Sequence, residues 1–217
     1  MAEDNVNFKA IKIALLGDSK VGKSTIANKY VKVDFKDDLL STIGSDRLET
    51  KLTLENGETI KLIIWDTAGE ERFRSIALKA LKAVQGVILV FDLTSRLSFQ
   101  NINNWIQTAN DNLKDPTLVL FGNKADLNKE TWEVTKEEAE EFAKNSNMKY
   151  FETSARTRQG IEEGFASIGN DIYTRLKGTK EFEKGGGGGG IEIKKKVDEE
   201  EYVNGCCAKK KRKKKNV

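Results

Sequence analysis

A short apolar run, Ile11-Lys12-Ile13-Ala14-Leu15-Leu16, passes without a break into Gly17-Asp18-Ser19-Lys20-Val21-Gly22-Lys23-Ser24. The run has the length and content of a buried strand, and Ile26, Ala27 and Tyr30 then place apolar groups on one face of a helix expected from Ser24 to about Val33. The eight residues between fit the pattern G-x-x-x-x-G-K-[S/T]. A strand, a tight glycine-bearing loop and a helix leave few folds open. The loop must turn several N–H groups inward to form an anion-binding nest, and the helix directs its positive end at whatever anion sits there. The motif predicts a bound phosphate chain, with Lys23 reaching the β- and γ-phosphates and the Ser24 hydroxyl on Mg²⁺.

The rest of the chain reads as strands alternating with helices. Arg47–Leu54 and Thr59–Trp65 read as two strands joined through Asn56-Gly57, a type I′ hairpin signal. Gly86–Phe91 is a continuous apolar run suited to a central strand, followed by a helix over Leu97–Asn112 and a second buried strand over Thr117–Phe121. Lys136–Asn145 is predicted helical, Met148–Phe151 a short strand and Ile161–Leu176 a last helix. This order implies an α/β fold: a mostly parallel sheet with one antiparallel hairpin and helices on both faces. Ligands in such sheets sit at the carboxyl ends of the strands.

A second motif, Asn123-Lys124-Ala125-Asp126, follows the strand at Thr117–Phe121. The Asp126 carboxylate can accept from both N–H groups on the pairing edge of guanine. Adenine would leave buried polar groups unpaired there, and sites built that way discriminate by about 10⁴ or more. With a phosphate loop upstream, this predicts that the nucleotide is GTP or GDP. Asp126 and the absence of a second substrate motif argue against an ATPase or a small-molecule kinase.

Composition divides the chain. Of 217 residues 38% are hydrophobic, enough for a core, but patterned sequence ends near Gly178 and six glycines, Gly185–Gly190, follow. A glycine run loses too much backbone entropy to lie inside an element. Residues 191–217 hold ten Lys/Arg against five Asp/Glu, whereas the preceding residues hold 27 against 29, so basic character belongs to the tail. The division expected is a flexible start over 1–8, one domain over 9–177 and a disordered tail over 178–217. There is no apolar run long enough for a membrane span and no secretory signal, and the only cysteines are Cys206 and Cys207, so a cytoplasmic protein without a disulfide framework is expected. Histidine is absent, which excludes imidazole chemistry.

With these residues in view, the chain resembles a Ras-superfamily small GTPase, most closely the Rab family, over about residues 8 to 177. The matching segments are the loop Gly17–Ser24, Ser41-Thr42-Ile43-Gly44, Trp65-Asp66-Thr67-Ala68-Gly69-Glu70-Glu71-Arg72-Phe73, Gly122–Leu127 and Glu152-Thr153-Ser154-Ala155. The resemblance implies a P-loop small G domain with a six-stranded sheet and five helices. It implies that Thr42 reaches Mg²⁺ when a γ-phosphate is present, that Asp66 supports the Mg²⁺ shell and that the Gly69 N–H contacts the γ-phosphate. Phe35 would pack on the guanine ring, and Ser154, Ala155 and Arg156 would supply the second base loop. The nucleotide-binding set is completed by Ser19, Lys20, Val21, Gly22, Lys23, Ser24, Thr25, Asn123, Lys124 and Asp126, with Ser24, Thr42 and Asp66 around the metal. Residues 35–45 and 67–80 would be the two switches, ordered by γ-phosphate and Mg²⁺. Implied partners are a nucleotide-exchange factor, a GTPase-activating protein, a GDP-dissociation inhibitor or escort protein and effectors, acting on a monomer.

The chain departs from the family at telling places. Glu70 stands where the family has the Gln that orients the attacking water. A carboxylate cannot donate to phosphate oxygens and adds negative charge to an anionic transition state. The catalytic set Glu70, Lys23 and Thr42 is therefore expected to act slowly, and a constitutively GTP-bound, effector-binding module is the alternative. Ile43-Gly44-Ser45-Asp46-Arg47 and Ala80-Leu81-Lys82-Ala83-Val84 replace aromatic-rich effector segments, and of an aromatic cluster only Trp65 is kept. Loss of that aromatic area predicts that common Rab effectors are not recognised.

In the tail, Cys206-Cys207 precede a basic run, Lys209–Lys215. One reading is reversible attachment to the cytosolic face of an anionic membrane by prenylated or acylated cysteines beside the polybasic run. A second is a nuclear-localisation or nucleic-acid patch, which would suit a nuclear-transport GTPase. A third is a solvated charge run. The resemblance favours the membrane, and with it a switch in vesicle traffic. A tail of about 40 residues spans about 35 Å r.m.s..

Overall fold

Six strands pair in the order β2-β3-β1-β4-β5-β6 in a computed structural model that describes residues 9–31, 45–67, 84–179 and 182. β1 (Ala10–Leu16) runs parallel to β3 (Thr59–Thr67) on one side and β4 (Gly86–Asp92) on the other. β5 (Thr117–Asn123) and β6 (Lys149–Glu152) extend the parallel part, and β2 (Ser45–Thr53) is the single antiparallel strand, at the edge beside β3. The predicted fold class is the one observed, a mostly parallel sheet of the small G-domain type with one antiparallel pair.

Alternation along the strands sorts the core into two layers. Ile11, Ile13 and Leu15 face one way with Ile88, Val90, Val119 and Phe121; Ala14 and Leu16 face the other with Val87, Leu89, Phe91 and Leu120. The first layer is closed by α1 (Lys23–Tyr30) and α5 (Ile161–Leu176) through Ile26, Ala27, Phe165, Ile168 and Ile172, with Tyr30 stacked on Phe165 at 3.9 Å. The second is closed by α2 (Arg96–Gln100), α3 (Ile102–Asn112) and α4 (Lys136–Asn145) through Phe99, Ile102, Trp105, Ala139 and Ala143. Fully burying each such apolar side chain contributes about 1.5–3 kcal/mol, so the central strands, apolar on both faces, anchor the sheet.

Three local features differ from the sequence reading. The hairpin between β2 and β3 is present, but Asn56 is not in the left-handed region that a type I′ turn requires. Instead the Gly57 N–H donates to the Leu54 carbonyl (2.9 Å), Gly57 itself has φ +82°, and the Leu54 N–H donates to the Glu58 carbonyl (2.8 Å). This is a three-residue loop with glycine in the bulge position. The single helix expected over Leu97–Asn112 is two segments meeting at Asn101, the C-cap of α2 and N-cap of α3. Third, Phe182 lies beyond residue 177, in the segment that the sequence reading assigns to the tail. Phe182 is buried in the first layer, with its ring edge-on to Tyr173 at 5.7 Å and the Lys9 ammonium 5.5 Å from its centroid. Residues 1–8 and the cysteine and basic segments of the tail lie outside the described residues.

Truncating a buried Phe to Ala costs about 3 kcal/mol. Phe182→Ala in the full chain should therefore lower the denaturant midpoint by that equivalent. An unchanged midpoint would put the end of the cooperative unit back at residue 177.

Candidate functional site: a nucleotide cleft

The carboxyl ends of β1, β3, β5 and β6 bring the motif residues to one edge of the sheet. The phosphate loop leaves β1 and enters α1 through Gly22, the helix N-cap, at φ +100°. A Cβ there would lie 2.3 Å from Asn123 Nδ2, so position 22 must be glycine on grounds of both backbone and space. The same Asn123 amide donates to the Val21 carbonyl at 2.7 Å and thereby ties the phosphate loop to the loop after β5. The side chain of Val21 is buried in the core, so what it offers a ligand is backbone.

Lys23 is 5% exposed, and its ammonium donates to the carbonyls of Gly17 (2.9 Å) and Asp18 (2.7 Å). Burial lowers its pKa from 10.5 to about 8, against the opposing pull of the Asp66 and Asp18 carboxylates. A polyanion in the loop would supply the countercharge that burial withholds. Asp66, at the end of β3, is buried, and its Oδ1 atom accepts no hydrogen bond. Thr67 beside it donates to the Leu15 carbonyl at 2.6 Å and holds this end of β3 against β1.

That donor set fits Mg²⁺. The ion is held by one or two carboxylates with waters and substrate phosphates rather than by an all-protein cage. The described residues contain no group of three or more acidic, Cys or His side chains that would make such a cage, and Asp66, with a buried oxygen, and Ser24, with its hydroxyl, are the residues that would hold the ion.

The base loops are held by their own bonds. The Ser154 hydroxyl donates to Asp126 Oδ1 at 2.6 Å and accepts from the N–H groups of Arg156 and Thr157, which aims the Asp126 carboxylate and shapes the turn together. The Ala125 N–H donates to the Thr153 carbonyl at 3.0 Å, joining the loops after β5 and β6. A cleft of about 670 Å³, the size usual for a small-molecule site, is lined by Lys20, Gly22, Thr25, Asn123, Lys124, Asp126, Ala155 and Arg156. All eight were expected from sequence; Lys29 and Leu127 also line it and were not. Ser19 lies in the same loop and Ser24 in the first turn of α1, both half-buried. Phe35, Thr42, Gly69 and Glu70 lie outside the described residues, as do Cys206 and Cys207.

Supporting residues were missed by the sequence reading. Asp18 Oδ1 accepts from the Trp105 indole N–H at 2.8 Å and Oδ2 from the Asn101 amide at 2.7 Å, so the phosphate loop is fastened to the start of α3. The signal was a Trp on the buried face of a helix, whose N–H needs an acceptor. Asp92, at the end of β4, pairs with Lys124 at 2.5 Å and accepts from Thr94. On the outer sheet edge Arg47 stands directly across from Trp65 and pairs with Glu49, which also takes Lys61; these two cations hold the Glu49 carboxyl below its ordinary pKa, Lys61 foremost.

The Ras family profile matches residues 12–174 of the chain. Ras-related protein RABE1e of Arabidopsis thaliana is 40% identical over 167 residues, covering 76% of each chain. Ras-related protein RAB1BV of Beta vulgaris is 42% identical over 170 residues, 76% of this chain and 77% of its own. Ras-related protein Rab-8B of Homo sapiens is 39% identical over 166 residues, 76% and 79%. The matched span takes in β2 to β6, all but the first two residues of β1 and every residue that lines the cleft, and the chain therefore belongs to the Ras family of GTPases, among its Rab proteins.

Proposed function

We propose that the protein is a GTP/GDP-dependent, Mg²⁺-requiring switch that acts in intracellular vesicle traffic and hydrolyses GTP slowly. The observation that carries this reading is the 2.7 Å bond from Asn123 to the Val21 carbonyl, which makes one cleft of a phosphate-binding loop and a base-reading loop. Lys23 holds the β- and γ-phosphates, the backbone N–H groups of the loop surround them, and Asp126, aimed by Ser154, reads guanine. Ser24, Asp66 and Thr42 are the residues that would hold Mg²⁺, which when bound would supply charge neutralisation for the phosphates. Water attacks the γ-phosphorus in line as the bond to the bridging oxygen breaks, releasing GDP and phosphate. Glu70 can accept the proton of that water but cannot donate to the transferring group, so turnover is slow.

Glu70 also supports a second reading, a module that stays loaded with GTP and binds effectors without cycling. Exchange factors, activating proteins, escort proteins and effectors are the partner classes proposed, as for Rab relatives. The tail, with Cys206 and Cys207 as sites of lipid attachment beside seven basic residues, is proposed to hold the protein at an anionic membrane face. Among the described residues no helix is long and apolar enough to cross a membrane.

Extraction and chromatography of the nucleotide bound in cells separates the two readings: GDP in excess fits a cycling switch, GTP in excess the loaded module. In single-turnover assays Glu70→Gln should hydrolyse GTP about tenfold faster than wild type, and equal rates would remove Glu70 as the cause of slow turnover. Asp126→Ala deletes two charge-assisted hydrogen bonds, worth about 1.5–3 kcal/mol each. GDP affinity by calorimetry should fall about a hundredfold or more; an unchanged Kd would take base reading away from Asp126. Lys23, lowered to about 8 by burial, is charged before binding at neutral pH and must gain a proton on binding above that. Affinity should then decline as pH rises through about 8, and calorimetry at about pH 8.5 in buffers of different ionisation enthalpy should register uptake of most of a proton.

A further inference from the structure

A carboxylate inside an anion-binding loop is an electrostatic contradiction. Asp18 follows the first glycine of that loop, and its field reaches the ammonium of Lys23, the cation that the loop offers to phosphate. Lys23 already donates to the Asp18 carbonyl at 2.7 Å. The carbonyl and the carboxyl group of one aspartate are close neighbours, and a change of χ1 to another staggered well moves the carboxyl group by several ångströms. Turned toward Lys23, the carboxylate would make a charge-assisted bond to an ammonium that is almost fully buried, where salt screens little. An incoming phosphate would then have to displace it.

Two donors from a distant helix oppose that rotation. Asn101, the N-cap of α3, donates to Oδ2 at 2.7 Å, and the indole N–H of Trp105 donates to Oδ1 at 2.8 Å. One donor on each oxygen turns the carboxylate toward α3. Residues at this spacing share a helix face, and the Trp105 ring belongs to the second core layer, so packing against the sheet sets where its N–H points. Both donors are neutral. They engage the carboxylate without adding a cation that would draw a phosphate chain away from Lys23. Resting on the guanine-nucleotide reading above, we infer that Asn101 and Trp105 are positioning residues for phosphate binding: they keep the Asp18 carboxylate turned away from Lys23 and so leave its ammonium to the nucleotide. A mere tether of the loop would behave differently, since cutting it at either end has the same effect. Here the two ends are unequal. Losing a donor frees the charge, whereas losing Asp18 removes the charge that had to be restrained.

The test is calorimetric affinity of the full chain for GDP and for a non-hydrolysable GTP analogue in Mg²⁺ buffer, with thermal unfolding of each variant alongside. Trp105→Phe keeps an aromatic ring in the core and deletes the N–H; Asn101→Leu keeps the side-chain size and deletes the amide. Each should weaken binding of the GTP analogue about tenfold, the scale of one charge-assisted hydrogen bond, with a smaller loss for GDP, which lacks the γ-phosphate. Introduced into an Asp18→Ala chain, the same two substitutions should change affinity by no more than about twofold. Asn101 is half-buried, so its variant keeps the test open if Trp105→Phe folds poorly. Three results overturn the inference: affinity unchanged in both donor variants, a loss in Asp18→Ala alone as large as in Trp105→Phe, or a donor effect that persists without Asp18. A wild-type chain that binds no guanine nucleotide overturns the proposed function, and this inference with it. Tight wild-type binding with any of the three results sinks the inference alone.

Discussion

An ammonium group held almost entirely away from water is the constraint around which this molecule is arranged. Lys23 gives up hydration at the start of α1 and receives two carbonyls and the field of two carboxylates in exchange. Each of those groups must be held in turn. β1 is pinned between β3 and β4, Thr67 fastens the end of β3 to Leu15, and Asp18 is fixed by Asn101 and Trp105. The same reasoning explains why the sheet is central and apolar on both faces. Only a rigid layer can hold a charge in a place where solvent cannot correct small errors of position.

The loops around this charge are not independent. Asn123 reaches back to the phosphate loop, Ser154 reaches across to Asp126, and Ala125 is bonded to Thr153. Three separate strand ends thus form one hydrogen-bonded rim. Removing the Asn123 amide would leave the carbonyl of the buried Val21 without this bond, a loss larger than the bond itself.

Much of this was legible in the sequence, because the motifs name groups whose chemistry is local. α4 and α5 have their predicted bounds, and Thr135 caps the former by accepting from the Glu138 N–H, a signal carried by neighbouring residues. What was not legible depended on distant partners. The helix breaks at Asn101, where the asparagine amide is engaged by Asp18, 83 positions away. The turn at Asn56-Gly57 looked like a two-residue loop because the dipeptide does not say how many residues precede it. Phe182 was missed because one aromatic among charged residues, next to a glycine run, gives no periodicity to read; its partners Tyr173 and Lys9 come from a helix and from the start of β1.

Phe182 has a consequence for how the molecule is oriented. Lys9 sits at the entry to β1 and the phosphate loop at its exit, and a strand of seven residues separates them by about 20 Å. The last described residue is thus held at one pole of the sheet and the nucleotide cleft at the other. Whatever takes hold of the chain beyond that point grips the protein at the pole opposite the nucleotide cleft.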